Sequence, residues 1–126
     1  MRLLLDTVTF IWAVGSPERV SGKAMRSLQQ GQAQLEMSAI SLSEIAIKQT
    51  LGKLNFSPHD VRTGIADLKL RILPYRSEHA FQLFSLPSYH SDPFDRQIIA
   101  QALVEDIPVV TADEKFKLYK SIHVIW

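Results

Sequence analysis

The chain has 126 residues, of which 14 are Lys or Arg and 13 are Asp or Glu, so its formal charge at pH 7 is only +1. This length suits one domain with its own apolar core, and we expect residues 1–126 to form a single domain. The absence of cysteine excludes thiolate zinc sites, iron–sulfur clusters and a cysteine nucleophile. The near-neutral charge does not by itself indicate a nucleic-acid-binding protein.

The apolar residues near the amino terminus are too few to cross a membrane. Asp6 interrupts the run Leu3–Leu5, and the stretch from Val8 to Val14 is far shorter than the roughly 20 residues that a spanning helix needs. We therefore expect a cytoplasmic protein without a signal peptide and without a membrane partner.

Five short apolar runs are typical of strands, and helical patterns lie between them. This alternation predicts an α/β domain with a mostly parallel sheet. The predicted strands are Arg2–Asp6, Gln34–Ser38, Leu70–Leu73, Pro108–Thr111 and Ile122–Ile125. The predicted helices are Thr7–Val14, a second from Ser16-Pro17 to Gly31 and a third from Ser41 to about Leu54. A fourth begins at Ser57-Pro58, a fifth runs from Ser77 to near Pro87, and a sixth begins at Asp92-Pro93.

Four acidic residues that are distant in sequence are predicted to meet at one edge of this sheet. In a parallel sheet the carboxyl ends of the strands and the amino ends of the connecting helices share an edge, where ligand sites form. Asp6 ends the first strand, Glu44 is placed in the first turn of the third helix, Asp95 is in the first turn of the sixth, and Asp113 follows the fourth strand.

Helix capping is the competing interpretation for these acids. Ser41-x-x-Glu44 has the form of a capping box, Asp92-x-x-Asp95 imitates one, and Asp113 precedes a short segment that it could cap. We expect Asp92 to be chiefly an N-cap residue because Pro93 follows it, with an outer-shell metal role left open.

Helical periodicity favours a buried site over simple capping. Glu44 is predicted to share a face with Ile47, Leu51 and Leu54, and Asp95 with Ile98, Ile99 and Ala102. In contrast, Glu105 and Glu114 are interpreted as surface acids.

A bound cation is predicted beside Asp6. Burying this carboxylate unpaired at the end of an apolar strand would cost several kcal/mol, and the nearest cation in sequence, Arg2, lies a strand length away. Carboxylates that converge also repel one another unless a divalent ion neutralises them. Oxygen ligands alone select a hard ion, Mg²⁺ or Mn²⁺, which suits phosphodiester hydrolysis by activated water.

Four segments, Leu3–Thr7, Ser41–Ile45, His90–Arg96 and Val110–Asp113, contain these acids in a specific order and spacing. Together they resemble the PIN-domain ribonucleases of the VapC toxin type, whose acidic cluster corresponds to Asp6, Glu44, Asp95 and Asp113. The resemblance implies a three-layer α/β/α fold, Mg²⁺- or Mn²⁺-dependent cleavage of RNA, a cognate antitoxin as partner, and a homodimer. Val8 departs from the pattern, since many relatives have His there.

Several other residues are open to two interpretations. Thr111 is a candidate to orient Asp113 or a water molecule. Arg96 would hold a substrate phosphate or pair with a neighbouring acid, and the pairing is favoured. Lys48 would contact either Glu44 or RNA. Lys115, Lys117 and Lys120 form a solvated face or contact the RNA backbone.

The same residues argue against two other functions. An aspartyl-phosphate phosphatase needs a second Asp two residues after Asp6, where this chain has Val8. A phosphoacceptor receiver domain does not explain Glu44 and Asp95. The alternative that remains is a non-catalytic PIN-like module that binds RNA or protein.

Overall fold

In a computed structural model that describes residues 1–126, one fully parallel five-stranded sheet lies between two layers of helices. This confirms the predicted α/β/α architecture, and each predicted strand agrees with the structure to within two residues at either end. The sheet order is β3-β2-β1-β4-β5, with β1 Arg2–Leu5, β2 Gln34–Ser38, β3 Arg71–Leu73, β4 Val109–Val110 and β5 Val124–Ile125. The helices are α1 Thr7–Gly15, α2 Gly22–Leu28, α3 Ala39–Thr50, α4 Pro58–Asp67, α5 Ser77–Gln82 and α6 Pro93–Glu105.

The central strand β1 is covered on both faces. Leu3 and Leu5 belong to an apolar cluster that includes Phe10 of α1, whereas Leu4 belongs to a second cluster with Ile98 and Ile99 of α6. All six side chains are fully buried. A strand buried on both faces explains why β1 is an uninterrupted apolar run rather than an alternating one.

The ends of α6 have clear local causes. Asp92 accepts backbone N–H bonds from Phe94 and Asp95, and Pro93 occupies the first turn. At the other end Asp106 adopts a left-handed conformation with φ 53°, which stops the helix. The predicted start of this helix and the capping role of Asp92 are confirmed.

Two predicted helices are shorter than expected. The segment from Ser16 to Gly31 is not one helix, because a 3-10 turn at Pro17–Arg19 precedes α2, whose N-cap Ser21 accepts a bond from the Ala24 N–H. Likewise α5 ends in a separate 3-10 turn at Leu83–Ser85. None of the helices combines the length and the apolar character needed to cross a membrane.

Gly64 allows α4 to lie close to α1. A Cβ atom at this position would lie 2.6 Å from Val14 Cγ2 and 3.1 Å from Phe10 Cζ. Glycine is therefore required here by packing, although it is a poor residue for a helix interior.

Gly64→Ala is expected to lower the free energy of unfolding by roughly 1–3 kcal/mol, because overlap with Val14 and Phe10 outweighs the better helix propensity of alanine. Urea unfolding monitored by circular dichroism measures the change. Gly15→Ala is the matched control, since no heavy atom lies within 4 Å of its Cβ position. A Gly64→Ala protein as stable as wild type would show that the two helices are not packed as described.

Candidate metal centre

Five carboxylates and one lysine line a cleft of about 330 Å³ at the carboxyl edge of the sheet. The cleft lies beside β1, where β2 and β4 run on opposite sides, which is the position where open α/β sheets form ligand sites. Its walls also contain Val8, Trp12 and Ala112. The charged residues are the four acids predicted from sequence, Asp6, Glu44, Asp95 and Asp113, together with Asp92 and Lys48.

Asp6 is buried at the N-terminus of α1 and acts as its N-cap. Its Oδ1 accepts the Thr9 N–H at 2.9 Å, and its Oδ2 accepts the Thr111 hydroxyl at 2.6 Å. These two hydrogen bonds compensate part of the cost of burying the carboxylate, and the sequence analysis did not foresee them. Burial nevertheless raises the pKa of Asp6, the bonds from Thr111 and Thr9 only offset part of this, and the Asp113 charge raises it again. Asp6 therefore still favours additional positive charge.

The start of α3 differs from the predicted one. Ser38 is the N-cap, accepting the Ile40 N–H at 2.9 Å, so the predicted helix start at Ser41 is wrong and the alternative capping box there is absent. Glu44 lies in the second turn rather than the first. Ser41 is instead buried and accepts a hydrogen bond from the Thr7 hydroxyl at 2.8 Å, which ties α3 to α1 beside Asp6.

Glu44 is 4% exposed, and only one of its carboxylate oxygens is paired. Its Oε2 accepts a hydrogen bond from Lys48 Nζ at 2.7 Å, so the i,i+4 alternative for Lys48 is present. Its Oε1 is buried without a hydrogen-bond partner. The expected buried face with Ile47 and Leu51 is wrong, because both side chains are exposed. A buried, unpaired carboxylate oxygen is costly unless another group satisfies it.

Asp95 is presented by the first turn of α6, and its pKa is strongly raised. Burial, then the charges of Asp92, Asp6, Glu44 and Asp113, raise the pKa of Asp95 to about 8. The predicted buried stripe of this helix is confirmed, because Ile98, Ile99 and Ala102 are buried. The cleft therefore holds more negative charge than the chain alone stabilises.

Asp113 has the capping role that the sequence left as one alternative, and it also lines the cleft. Its Oδ1 accepts the Lys115 N–H at 2.9 Å and caps the 3-10 turn Glu114–Leu118. Its backbone N–H bonds to Thr111 Oγ1 at 3.0 Å. The hydroxyl of Thr111 also donates to Asp6 Oδ2. Thr111 thus joins Asp113 to Asp6 and holds the two acidic segments together.

The other basic residues named in the sequence analysis do not line the cleft. Arg96 does not pair with an acid, which corrects the favoured expectation, because its guanidinium donates to the carbonyls of Leu86, Pro87 and His90. It therefore supports the loop that leads into α6. Lys115, Lys117 and Lys120 are exposed.

His90 is the site residue that sequence reasoning missed. Its Nε2 lies 2.7 Å from Asp113 Oδ2 and 3.1 Å from Asp95 Oδ2, and the ring is almost fully buried. Nothing in its spacing from other histidines indicated this position. The signal was its place two residues before the N-cap Asp92, in the same segment as Asp95.

The donor set of the cleft fits a hard divalent cation. Asp6, Glu44, Asp95 and Asp113 offer oxygen ligands, and the unpaired Glu44 Oε1 is the buried atom that such an ion would satisfy. The raised pKa values of Asp6 and Asp95 also favour a bound ion, because a cation would offset the cost of burying their charges.

A second acidic cluster, Glu78, His79 and Glu105, does not fit an ion. His79 Nδ1 accepts the Arg76 N–H and its Nε2 contacts Glu105, so both ring nitrogens are used. Glu105 also pairs with Arg2, which in turn pairs with the buried Glu36. The prediction that Glu105 is a surface acid is therefore wrong, whereas Glu114 is exposed as expected. The polar atoms of His79 and Glu105 already have partners within the protein, in contrast to Glu44 Oε1 in the cleft.

Comparisons with known proteins agree with this geometry. A model described as PIN domain matches residues 3–121. Among solved structures, VapBC2 from Rickettsia felis bound to a DNA fragment from their promoter has 17% identity and a TM-score of 0.75, covering 98% of this chain and 97% of that one. DNA-bound VapBC from Salmonella typhimurium has 18% identity and a TM-score of 0.70, covering 98% and 96%. At these identities the likeness establishes the fold alone. A search of curated protein sequences gave no match.

Without metal, the protein is expected to lose stability as pH rises from about 4 to 8. The pKa of Asp in an unfolded chain is about 3.9, whereas that of Asp95 in the folded protein is about 8. Between these two values the unfolded state binds fewer protons than the folded state, so a rise in pH favours unfolding. Asp95→Asn removes this contribution and raises the free energy of unfolding at pH 8 by roughly 1–3 kcal/mol.

Urea unfolding in EDTA at a series of pH values measures this effect. The difference between the Asp95→Asn variant and wild type is expected to grow from pH 4 to 8. Parallel pH profiles for the two proteins would contradict the proposed strain at Asp95.

Proposed function

Because this chain belongs to the PIN domain family, we propose that it is a metal-dependent endoribonuclease, the toxin of a toxin–antitoxin pair, which hydrolyses RNA phosphodiester bonds with Mg²⁺ or Mn²⁺. The observation that carries the proposal is the buried, unpaired Glu44 Oε1 in a cleft lined by three further predicted ligands. Four carboxylates with one lysine match the oxygen-rich, anionic sites that these ions prefer.

The proposed ligands are Asp6, Glu44, Asp95 and Asp113. A divalent cation bound there supplies positive charge that stabilises phosphoryl oxygens and acidifies water. Activated water would be the nucleophile, so the site would need no dedicated histidine base. The cleft is open on one side, where a phosphate of the RNA backbone would lie beside these carboxylates.

Hydrogen bonds within the protein hold the proposed ligands in place before an ion binds. Thr111 and the Thr9 N–H fix both oxygens of Asp6, and Lys48 fixes one oxygen of Glu44. Asp92 caps α6 and so directs Asp95 into the cleft. Ligands held in place in this way lose little conformational entropy when the ion binds.

Asp6→Asn and Asp95→Asn are each expected to reduce Mg²⁺-dependent RNA cleavage by on the order of a hundredfold or more, because each removes a charged ligand. Asparagine also caps helices, so Asp6→Asn retains the fold. Cleavage of total and defined RNAs, with Mg²⁺ or with EDTA, and mapping of the cut ends measure the effect. Asp67→Asn, at an exposed acid in α4, is the matched control.

Full turnover in both variants would contradict the assignment of these ligands. A folded wild-type protein that neither binds Mn²⁺ nor cleaves RNA would instead favour the non-catalytic PIN-like module that binds RNA or protein.

An antitoxin is the proposed protein partner, and the groove between α3 and α4 is its proposed binding surface. The similar structures from Rickettsia felis and Salmonella typhimurium are of VapBC bound to DNA, and the resemblance to VapC toxins implies an antitoxin. The groove has a volume of about 380 Å³, is mostly apolar, and includes the exposed residues Ala46 and Arg62. It would accept an apolar segment of the antitoxin with an acidic residue opposite Arg62. The homodimer implied by the resemblance stays a prediction.

Ala46→Arg is expected to weaken antitoxin binding by at least about tenfold, because the long side chain fills the groove while its exposed position preserves the fold. The measurement is calorimetric titration with the protein encoded beside this gene. Thr63→Arg, on the exposed side of α4 outside the groove, is the control. Equal affinity for both variants would place the partner on another surface.

A further inference from the structure

His90 is held rigidly between the two segments that present Asp95 and Asp113. Its ring is 5% exposed and meets the Phe116 ring edge to face at 5.8 Å. Its backbone N–H donates to Tyr119 Oη at 3.0 Å, and its carbonyl accepts a bond from Arg96 at 3.3 Å. The ring therefore has one orientation, which the surrounding residues fix.

The hydrogen bonds of the ring determine which nitrogen bears the hydrogen. Nδ1 lies 3.2 Å from the Asp92 N–H and accepts its bond, so Nδ1 provides a lone pair. The hydrogen is then on Nε2, which donates to Asp113 Oδ2 at 2.7 Å and lies 3.1 Å from Asp95 Oδ2.

This arrangement opposes direct binding of an ion by His90. A metal ligand needs a lone pair on Nε2, which would move the hydrogen to Nδ1 and place it against the Asp92 N–H. Two donors would then face each other inside a buried site, and one would lose its partner. His90 is better suited to donate to carboxylates than to coordinate.

We propose that His90 is a positioning residue of the metal site, which holds the Asp113 carboxylate beside that of Asp95 through its Nε2–H and does not itself bind the ion. The inference rests on the proposed function, because it assumes that Asp95 and Asp113 are ligands. The two acids belong to different elements, α6 and the segment after β4, and their like charges repel. A donor between them offsets this repulsion and fixes the orientation of a ligand, as outer-shell groups do in metal sites.

Mn²⁺ binding by His90→Leu and His90→Gln tests the proposal. The leucine variant loses the donor, and its Mn²⁺ affinity is expected to fall 10- to 100-fold. The glutamine variant places an amide N–H near the position of Nε2 and is expected to stay within about threefold of wild type. His59→Leu, at an exposed histidine of α4, is the control, and thermal unfolding in EDTA verifies that each variant is folded.

Electron spin echo envelope modulation of Mn²⁺ bound to the wild-type protein tests the same point without any substitution. We expect no coupling from a directly coordinated nitrogen. Such a coupling, or full Mn²⁺ affinity in folded His90→Leu, would overturn the assignment of His90 while leaving the metal site intact. Absence of Mn²⁺ binding by wild type would overturn the metal site itself, and this inference with it.

Discussion

Electrostatic repulsion among carboxylates in one partly buried cleft is the constraint on which the rest of this structure depends. Asp6, Glu44, Asp92, Asp95 and Asp113 face a single lysine there, and burial raises the pKa of both Asp6 and Asp95. A chain selected only for stability would not gather these charges, because those of Asp6 and Asp95, whose pKa values are raised, weaken the folded state at neutral pH. The arrangement becomes favourable when a divalent cation neutralises it, so the strain itself indicates a metal site.

The parallel sheet brings these carboxylates together at one edge. Strand ends and helix starts meet at its carboxyl edge, and each acid there is attached to a rigid element rather than to a free loop. The backbone donors at the starts of α1 and α6, and the threonines around Asp6, hold the carboxylates without neutralising them. The opposite edge differs, because Arg2 and His79 fully pair Glu36 and Glu105 there. The chain thus pairs every carboxylate oxygen of Glu36 and Glu105 at one edge and leaves Glu44 Oε1 without a partner at the other.

Local signals in the sequence were sufficient for the fold and for part of the site. Apolar runs located all five strands, and Asp92-Pro93 located the start of α6 together with Asp95. Errors arose where two residues compete for one role: Ser38 and Ser41 both suit an N-cap, and only packing against Thr7 removes Ser41 from that role. The compensation of Asp6 by Thr111 and the contact of His90 with Asp113 join residues far apart in sequence, 105 and 23 positions. Pairings of that kind follow from tertiary packing, which no local pattern contains.

Diffraction at the manganese absorption edge from crystals soaked in Mn²⁺ tests the central claim most directly, because it locates the ion without any assay of activity. The account predicts an anomalous peak in the cleft, within coordination distance of the carboxylates of Asp95 and Asp113 and close to Glu44 Oε1. A cleft without a peak at saturating Mn²⁺, or a peak only at Glu78, His79 and Glu105, would contradict it.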